Sequence, residues 1–219
     1  DRRVITLPAQ QAQIFVGYLV PSLTDPLYPA VRVLGAILGG GMSGRLFVEL
    51  RDRRGLASSP GVSTQFRPGP GALIAYLGTA PANAVAAEAG VLRELERARS
   101  TPITADELTR AKAYVRGQLS MDRRTNARHA WYLSYFEAVG AGWDFPDRFS
   151  RPVEAVAVAV VRDGVGGDVL HHEVRAPRLR PVRVQHLCDV RVGHLGQQPA
   201  LLRGAHAHPA RVQAQHDAL

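Results

Sequence analysis

The chain has 219 residues, 46% of them hydrophobic, with a formal net charge of +8 and one cysteine. That length suits one domain or a large subdomain. No run of about eighteen apolar residues is present to span a membrane, and Cys188 by itself excludes a disulfide framework and a cysteine metal cluster. The 27 basic side chains include a single lysine, a bias that GC-rich coding explains at least as well as an anionic partner would. Neither half of the chain carries the dense basic stripe with interleaved aromatics that a nucleic-acid surface requires, so neither nucleic acid nor membrane is expected as a partner.

The sequence begins at Asp1 without a methionine and is expected to be a fragment of a longer protein. Residues 12–19 (AQIFVGYL) alternate apolar with small or polar side chains before Pro21 and read as a strand. Pro26 and Pro29 stand where a helix start tolerates proline, and AVRVLGAIL sets Val31, Leu34, Ile37 and Leu38 on one helical face. Gly39, Gly40 and Gly41 end that helix. Ser43 is the expected N-cap of a second helix, GRLFVELRDRR, with an apolar stripe of Leu46, Phe47 and Leu50 and a stop at Gly55.

Two strands follow, 61–67 and 72–78, joined by the turn signal PGPG into an expected hairpin. Three helices come next, 83–99, 104–121 and 126–139, the middle one opened by a capping box of Thr104 and Glu107. This order predicts an α+β fold, a mostly antiparallel sheet covered by helices on one side.

Composition changes class near residue 150. Every aromatic residue lies at or before Phe149, and seven of the eight histidines lie beyond it. Residues 151–219 are built mainly from Val, Ala, Arg, His, Leu, Gly, Pro, Gln and a few acids, with little to bury against the entropy of ordering them. The expected organisation is therefore a domain over 1–150 and a low-complexity Arg/His/Val-rich tail over 151–219, disordered or poorly packed, or out of frame. Back-translation of DVLHHEVR allows a neighbouring frame that supplies the missing aromatics. His171, His172, His186, His194, His206, His208 and His216 are irregularly spaced, so they do not read as a zinc site.

The glycine stretch invites comparison with a phosphate-binding loop, since Gly39 and Gly44 have its four-residue gap. Arg45 and Leu46 replace the Lys and Ser/Thr, and a helix precedes where a strand is needed, so that reading fails. A helix end and a tight corner account for the glycines by themselves.

The phrase ILGGGMSGRLFVELRDRRGLA, with QQAQIFVGYLVP before it and ITADELTRAKAYVRGQL and GWDFPDRF after it, resembles the second, non-zinc domain of the pitrilysin/insulinase metallopeptidase family, which includes the mitochondrial processing peptidases. The resemblance covers about residues 1–156. It implies a metallopeptidase-like domain whose partner holds zinc through an inverted H-x-x-E-H motif. This chain lacks that motif: Ala130, Trp131 and Tyr132 follow His129, and HHEV at 171–174 has the wrong spacing. No cofactor is expected in the chain itself; zinc belongs to the partner domain.

The resemblance further implies that the domain closes a chamber over the zinc site. In the family it contributes an Arg and a Tyr, seven residues apart, to the substrate carbonyl and developing oxyanion, where such a donor is worth about 3 to 4 kcal/mol. Arg51 occupies the Arg position and Ser58 the Tyr position, where a serine hydroxyl is too short to replace a phenol. The expected substrate-binding residues are thus Arg51 and Ser58. The expected partners are a zinc-bearing homologous domain or subunit and a peptide substrate, with no proteolytic activity in this chain alone. Ser58 favours an alternative, a catalytically inert structural or interaction subunit of the same fold.

Overall fold

The computed structural model describes residues 2–5, 8–65, 67–162 and 183–185. Its sheet is built on the hairpin read from the sequence. Strand β2 (Ala12–Val20) pairs antiparallel with β4 (Gly71–Thr79) along its whole length, from Ala12 opposite Thr79 to Val20 opposite Gly71, and β3 (Gly61–Thr64) pairs antiparallel with the outer side of β4. Two short strands complete it: β1 (Arg2–Val4) and β5 (Arg183–Gln185). The strand order is β1-β5-β2-β4-β3, with β1 parallel to β5 and the other pairs antiparallel.

The two-residue period of β2 and β4 sorts their side chains between two unlike faces. Ile14 lies opposite Leu77 and Val16 opposite Ala75, and all four are buried. The other face sets Phe15 opposite Tyr76 and Leu19 opposite Ala72, with Tyr76 and Leu19 exposed. Helices α1 (Tyr28–Gly39) and α2 (Ala84–Ser100) pack on the sheet. The one-sided covering expected from the sequence is what the structure contains.

Helix α1 departs from the single apolar face expected of it. It is buried from Tyr28 to Val31 and again from Val33 to Leu38, because α3 (Ala105–Asp122) and α6 (Ser150–Ala155) lie over the side turned away from the sheet. Helix α4 (Asn126–Ala138) and the short α5 (Phe145–Arg148) feed an aromatic row into this outer layer. Ring centroids run Phe136 to Phe145 at 4.5 Å, Phe145 to Phe149 at 5.0 Å and Phe149 to Tyr28 at 6.0 Å. Burial of the Tyr28 phenol pushes its pKa up to about 12, and its hydroxyl donates to the Gln65 carbonyl.

The boundary expected after residue 150 falls inside packed structure. Val153 on α6, then Val156 and Val161, are buried, because small apolar residues suffice where α1 and α3 already supply the bulk. Strand β5 likewise stands in the sheet. The expectation of a poorly ordered tail over 163–182 and 186–219 falls outside the described residues.

The capping box is formed as expected: Thr104 Oγ1 accepts from Glu107 N at 3.2 Å, and Glu107 Oε2 accepts from Thr104 N at 3.0 Å. Glu107 also takes a bidentate pair from Arg45, with Nε at 2.7 Å and Nη2 at 3.0 Å. The Arg45 guanidinium, aided by the Thr104 bonds, holds the Glu107 carboxyl at a pKa of about 2 against burial. A folded value below the ordinary 4.5 means this contribution is full above pH 4.5 and is lost as pH falls towards 2. Acid titration of the thermal midpoint should therefore show a decline across that window. Arg45→Ala should lower stability at neutral pH by about 2 kcal/mol and flatten the decline; an unchanged acid profile in the variant would show that the pair contributes nothing.

Candidate functional site

The loop that ends α1 turns through a 3₁₀ segment (Gly41–Ser43) into a π-helix (Phe47–Arg53). Gly41 adopts φ 67°, the left-handed region in which a side chain is disfavoured. Gly39 answers a different need: a Cβ there would fall on the Val62 backbone nitrogen, because α1 and β3 touch at this point. Ser43 does not cap the next helix. Its hydroxyl lies 3.5 Å from the Gly40 carbonyl, and the π-helix begins after Leu46 with no side-chain cap.

Two anchors fix how the π-helix is turned. Arg45, just ahead of it, is tied to Glu107 at the start of α3. Leu50 is fully buried against Gly90 of α2, where a Cβ would lie 2.6 Å from Leu50 Cδ2. With Leu46 and Leu50 inward, Phe47 is left half-buried and Arg51 exposed. The segment closes with Gly55 at φ 60°, whose N–H donates to Arg51 O at 3.0 Å, while Leu56 N–H reaches Leu50 O at 2.7 Å.

Three arginines crowd this segment, and they have different partners. Arg53 Nη1 donates to Glu49 Oε2 at 3.1 Å; Arg54 donates to Glu49 Oε1 from Nε at 2.9 Å and from Nη2 at 2.7 Å. Hydrogen bonds from Arg54, then from Arg53, hold the Glu49 carboxyl below its ordinary range. Arg51 makes no ion pair among the described residues. Its guanidinium carbon lies 4.7 Å from the Phe47 ring centroid, an i,i+4 cation–π contact.

Ser58 lies past the turn, beside the end of β4. Its N–H donates to Gly78 O at 2.9 Å, its hydroxyl lies 3.2 Å from the same carbonyl as a donor, and Gln11 Nε2 donates to that hydroxyl at 2.9 Å. The two expected site residues thus differ in availability: Arg51 has donors to offer, while the Ser58 hydroxyl proton is already used.

A metal does not fit this place, because a guanidinium repels a cation and Ser58 offers one neutral oxygen. No group of three His, Cys, Asp or Glu side chains able to hold a metal ion lies among the described residues. His129 is exposed on α4. His171, His172, His186, His194, His206, His208, His216 and Cys188 lie outside the described residues. Among the described residues no helix is long and apolar enough to cross a membrane.

Sequence reasoning missed Phe47 and Glu49 as parts of the site. Phe47 was legible only as core stripe, and the i,i+4 spacing of Glu49 and Arg53 was the available sign of the pairing.

The chain has several known likenesses. The family described as the peptidase M16 inactive domain matches residues 1–115. An uncharacterised zinc protease of Streptomyces coelicolor is 34% identical over 108 residues, 49% of this chain and 24% of that protein, so the match spans about a quarter of that relative. A solved peptidase M16 inactive domain from Pseudomonas fluorescens superimposes with a TM-score of 0.65 at 23% identity, over 74% of this chain and 39% of that one. A chain in the structure of Complex III2 from Candida albicans does so with a TM-score of 0.67 at 19% identity, over 77% of this chain and 42% of that one. At these identities the two structural likenesses speak for the fold.

Proposed function

The chain belongs to the peptidase M16 inactive-domain family, a non-catalytic domain of zinc proteases, and from that premise we propose that it closes a peptide-binding chamber over a zinc site carried by a homologous domain or subunit. In that chamber Arg51 donates hydrogen bonds to a peptide carbonyl. The observation that carries this reading is the state of Arg51: exposed, outside any ion pair among the described residues, and seated on Phe47 with its outer N–H groups available. A guanidinium held over a ring keeps several donors in a planar fork, which suits an oxygen on which charge grows.

The sheet supports the chamber. Among the described residues, the sheet face opposite the buried one carries Phe15, Leu19, Ile74 and Tyr76, with Leu19 and Tyr76 exposed, a surface suited to lining a closed space. Ser58 favours a second reading, an interaction subunit without substrate contact, because its hydroxyl serves the Gly78 carbonyl and the Gln11 amide.

Mixing the full chain with an H-x-x-E-H-bearing homologue encoded by the same genome tests the proposal. With a quenched fluorescent peptide as substrate, each chain alone should be close to inactive and the mixture should cleave. Association without a gain in cleavage would favour the interaction-subunit reading, and absence of both association and gain would reject the partner role.

A further inference from the structure

Glu49 is the carboxylate that pairs in the cluster around Arg51, and it is fully engaged. One oxygen receives Arg53 and the other receives two N–H groups of Arg54. Two of the three neighbouring cations are thereby held against a carboxylate whose side chain is 13% exposed. Arg51 stands outside this cluster and rests on the face of Phe47.

We propose that Glu49 and Phe47 are positioning residues for Arg51: Glu49 draws Arg53 and Arg54 away from the site, and Phe47 holds the Arg51 guanidinium flat with its outer donors free. The inference rests on the reading of Arg51 as a peptide contact and specifies how that contact is prepared. Without Glu49, Asp52 would be the carboxylate left in this segment against Arg51, Arg53 and Arg54, the cations would repel one another across one turn, and the released Arg53 and Arg54 would compete for the same carbonyl oxygen. Without the ring, Arg51 would sample the many rotamers of a long solvated side chain and lose part of its orientation. Leu50 and Arg45 fix the backbone beneath both residues, so their effect is local to the exposed side of the π-helix.

Two measurements on the full chain decide the matter. In the NMR spectrum of the arginine Nε–Hε groups, Arg51 should carry a ring-current shift that Phe47→Leu abolishes and Phe47→Tyr retains. In modification by p-hydroxyphenylglyoxal mapped by mass spectrometry, Arg51 should react ahead of Arg53 and Arg54, and Glu49→Gln should bring all three to similar rates. In the cleaving complex, Phe47→Leu should lower kcat/KM by about two- to fivefold, mostly through kcat, with Phe47→Tyr near the parent. An Arg51 resonance indifferent to Phe47→Leu, or equal reactivity of the three arginines in the parent chain, overturns the positioning roles. If resonance and reactivity respond as stated but turnover does not, the positioning stands and it is the peptide contact of Arg51 that fails.

Discussion

Gly39→Ala should lower the unfolding free energy by about 3 kcal/mol, although alanine is the better helix former. Intrinsic propensity favours the substitution by about 1 kcal/mol. Against that, the added Cβ would meet the Val62 nitrogen and lie 2.8 Å from both the Gly61 carbonyl carbon and Val62 Cβ. Two of these three are backbone atoms, so relief requires α1 and β3 to separate. Separation would loosen the packing around Leu34 and Leu38, which are fully buried. Gly69, with no atom within 4 Å of an added Cβ, supplies the control: Gly69→Ala should stay within about 0.5 kcal/mol of the parent. Urea unfolding compares the two. If Gly39→Ala leaves the midpoint where it was, the close approach of helix and strand is not a constraint on stability.

The same contact shows what could and could not be read beforehand. The glycine run announced a break after the first helix, because glycine ends helices, and the arginines after it announced a charged exposed turn. That Gly39 is required by β3 depends on a strand more than twenty residues later and leaves no local trace. The strands β2 and β4 and the helices α2, α3 and α4 were legible to within two residues, because alternation, the turn signal and the capping box are local and agree with one another. Strands β1 and β5, three residues each, are too short for any period to show.

The burial of α1 beyond its sheet-facing side was hidden for a related reason. Its face towards the sheet follows a helical period, whereas its outer face is covered by α3 and α6, whose own stripes say nothing of where they dock. Residues 151–162 hold no aromatic side chain, so their composition gives no sign of packing. Val153, Val156 and Val161 bury themselves by position, against a layer that earlier aromatics had already built.

At the site, the positions of Arg51 and Ser58 came from the resemblance, and their chemistry came from the structure. Helical spacing could suggest that Glu49 pairs with Arg53, but not that Arg54 turns back to the same carboxylate and leaves Arg51 apart. That second bond depends on the Gly55 turn, where the chain leaves the π-helix at φ 60°. Ser58 in turn is bound by residues of both strands at one end of the sheet pair, Gln11 just ahead of β2 and Gly78 near the end of β4.

Arg51→Ala should reduce kcat of the complex about 100-fold while KM changes little, the signature of a donor used chiefly in the transition state. Exposure and the lack of an ion pair among the described residues predict almost no change in stability, within about 0.5 kcal/mol, so lost activity would not reflect lost fold. Arg51→Lys should recover little, since an ammonium neither stacks as a plane nor presents a fork. Ser58→Tyr adds a second donor that the serine position lacks, and it should raise kcat in the parent but leave Arg51→Ala nearly unimproved, because one donor without the other orients the carbonyl poorly. The gain has a structural cost of about 1 kcal/mol, from the hydroxyl bonds to Gly78 and Gln11 that the phenol cannot keep. Steady-state kinetics on the five complexes (parent, Arg51→Ala, Arg51→Lys, Ser58→Tyr and the Arg51→Ala/Ser58→Tyr double variant), with unfolding midpoints for each chain, separate the outcomes. Undiminished turnover in Arg51→Ala would remove the arginine from the chemistry and leave the interaction-subunit reading, in which Ser58 serves the fold alone.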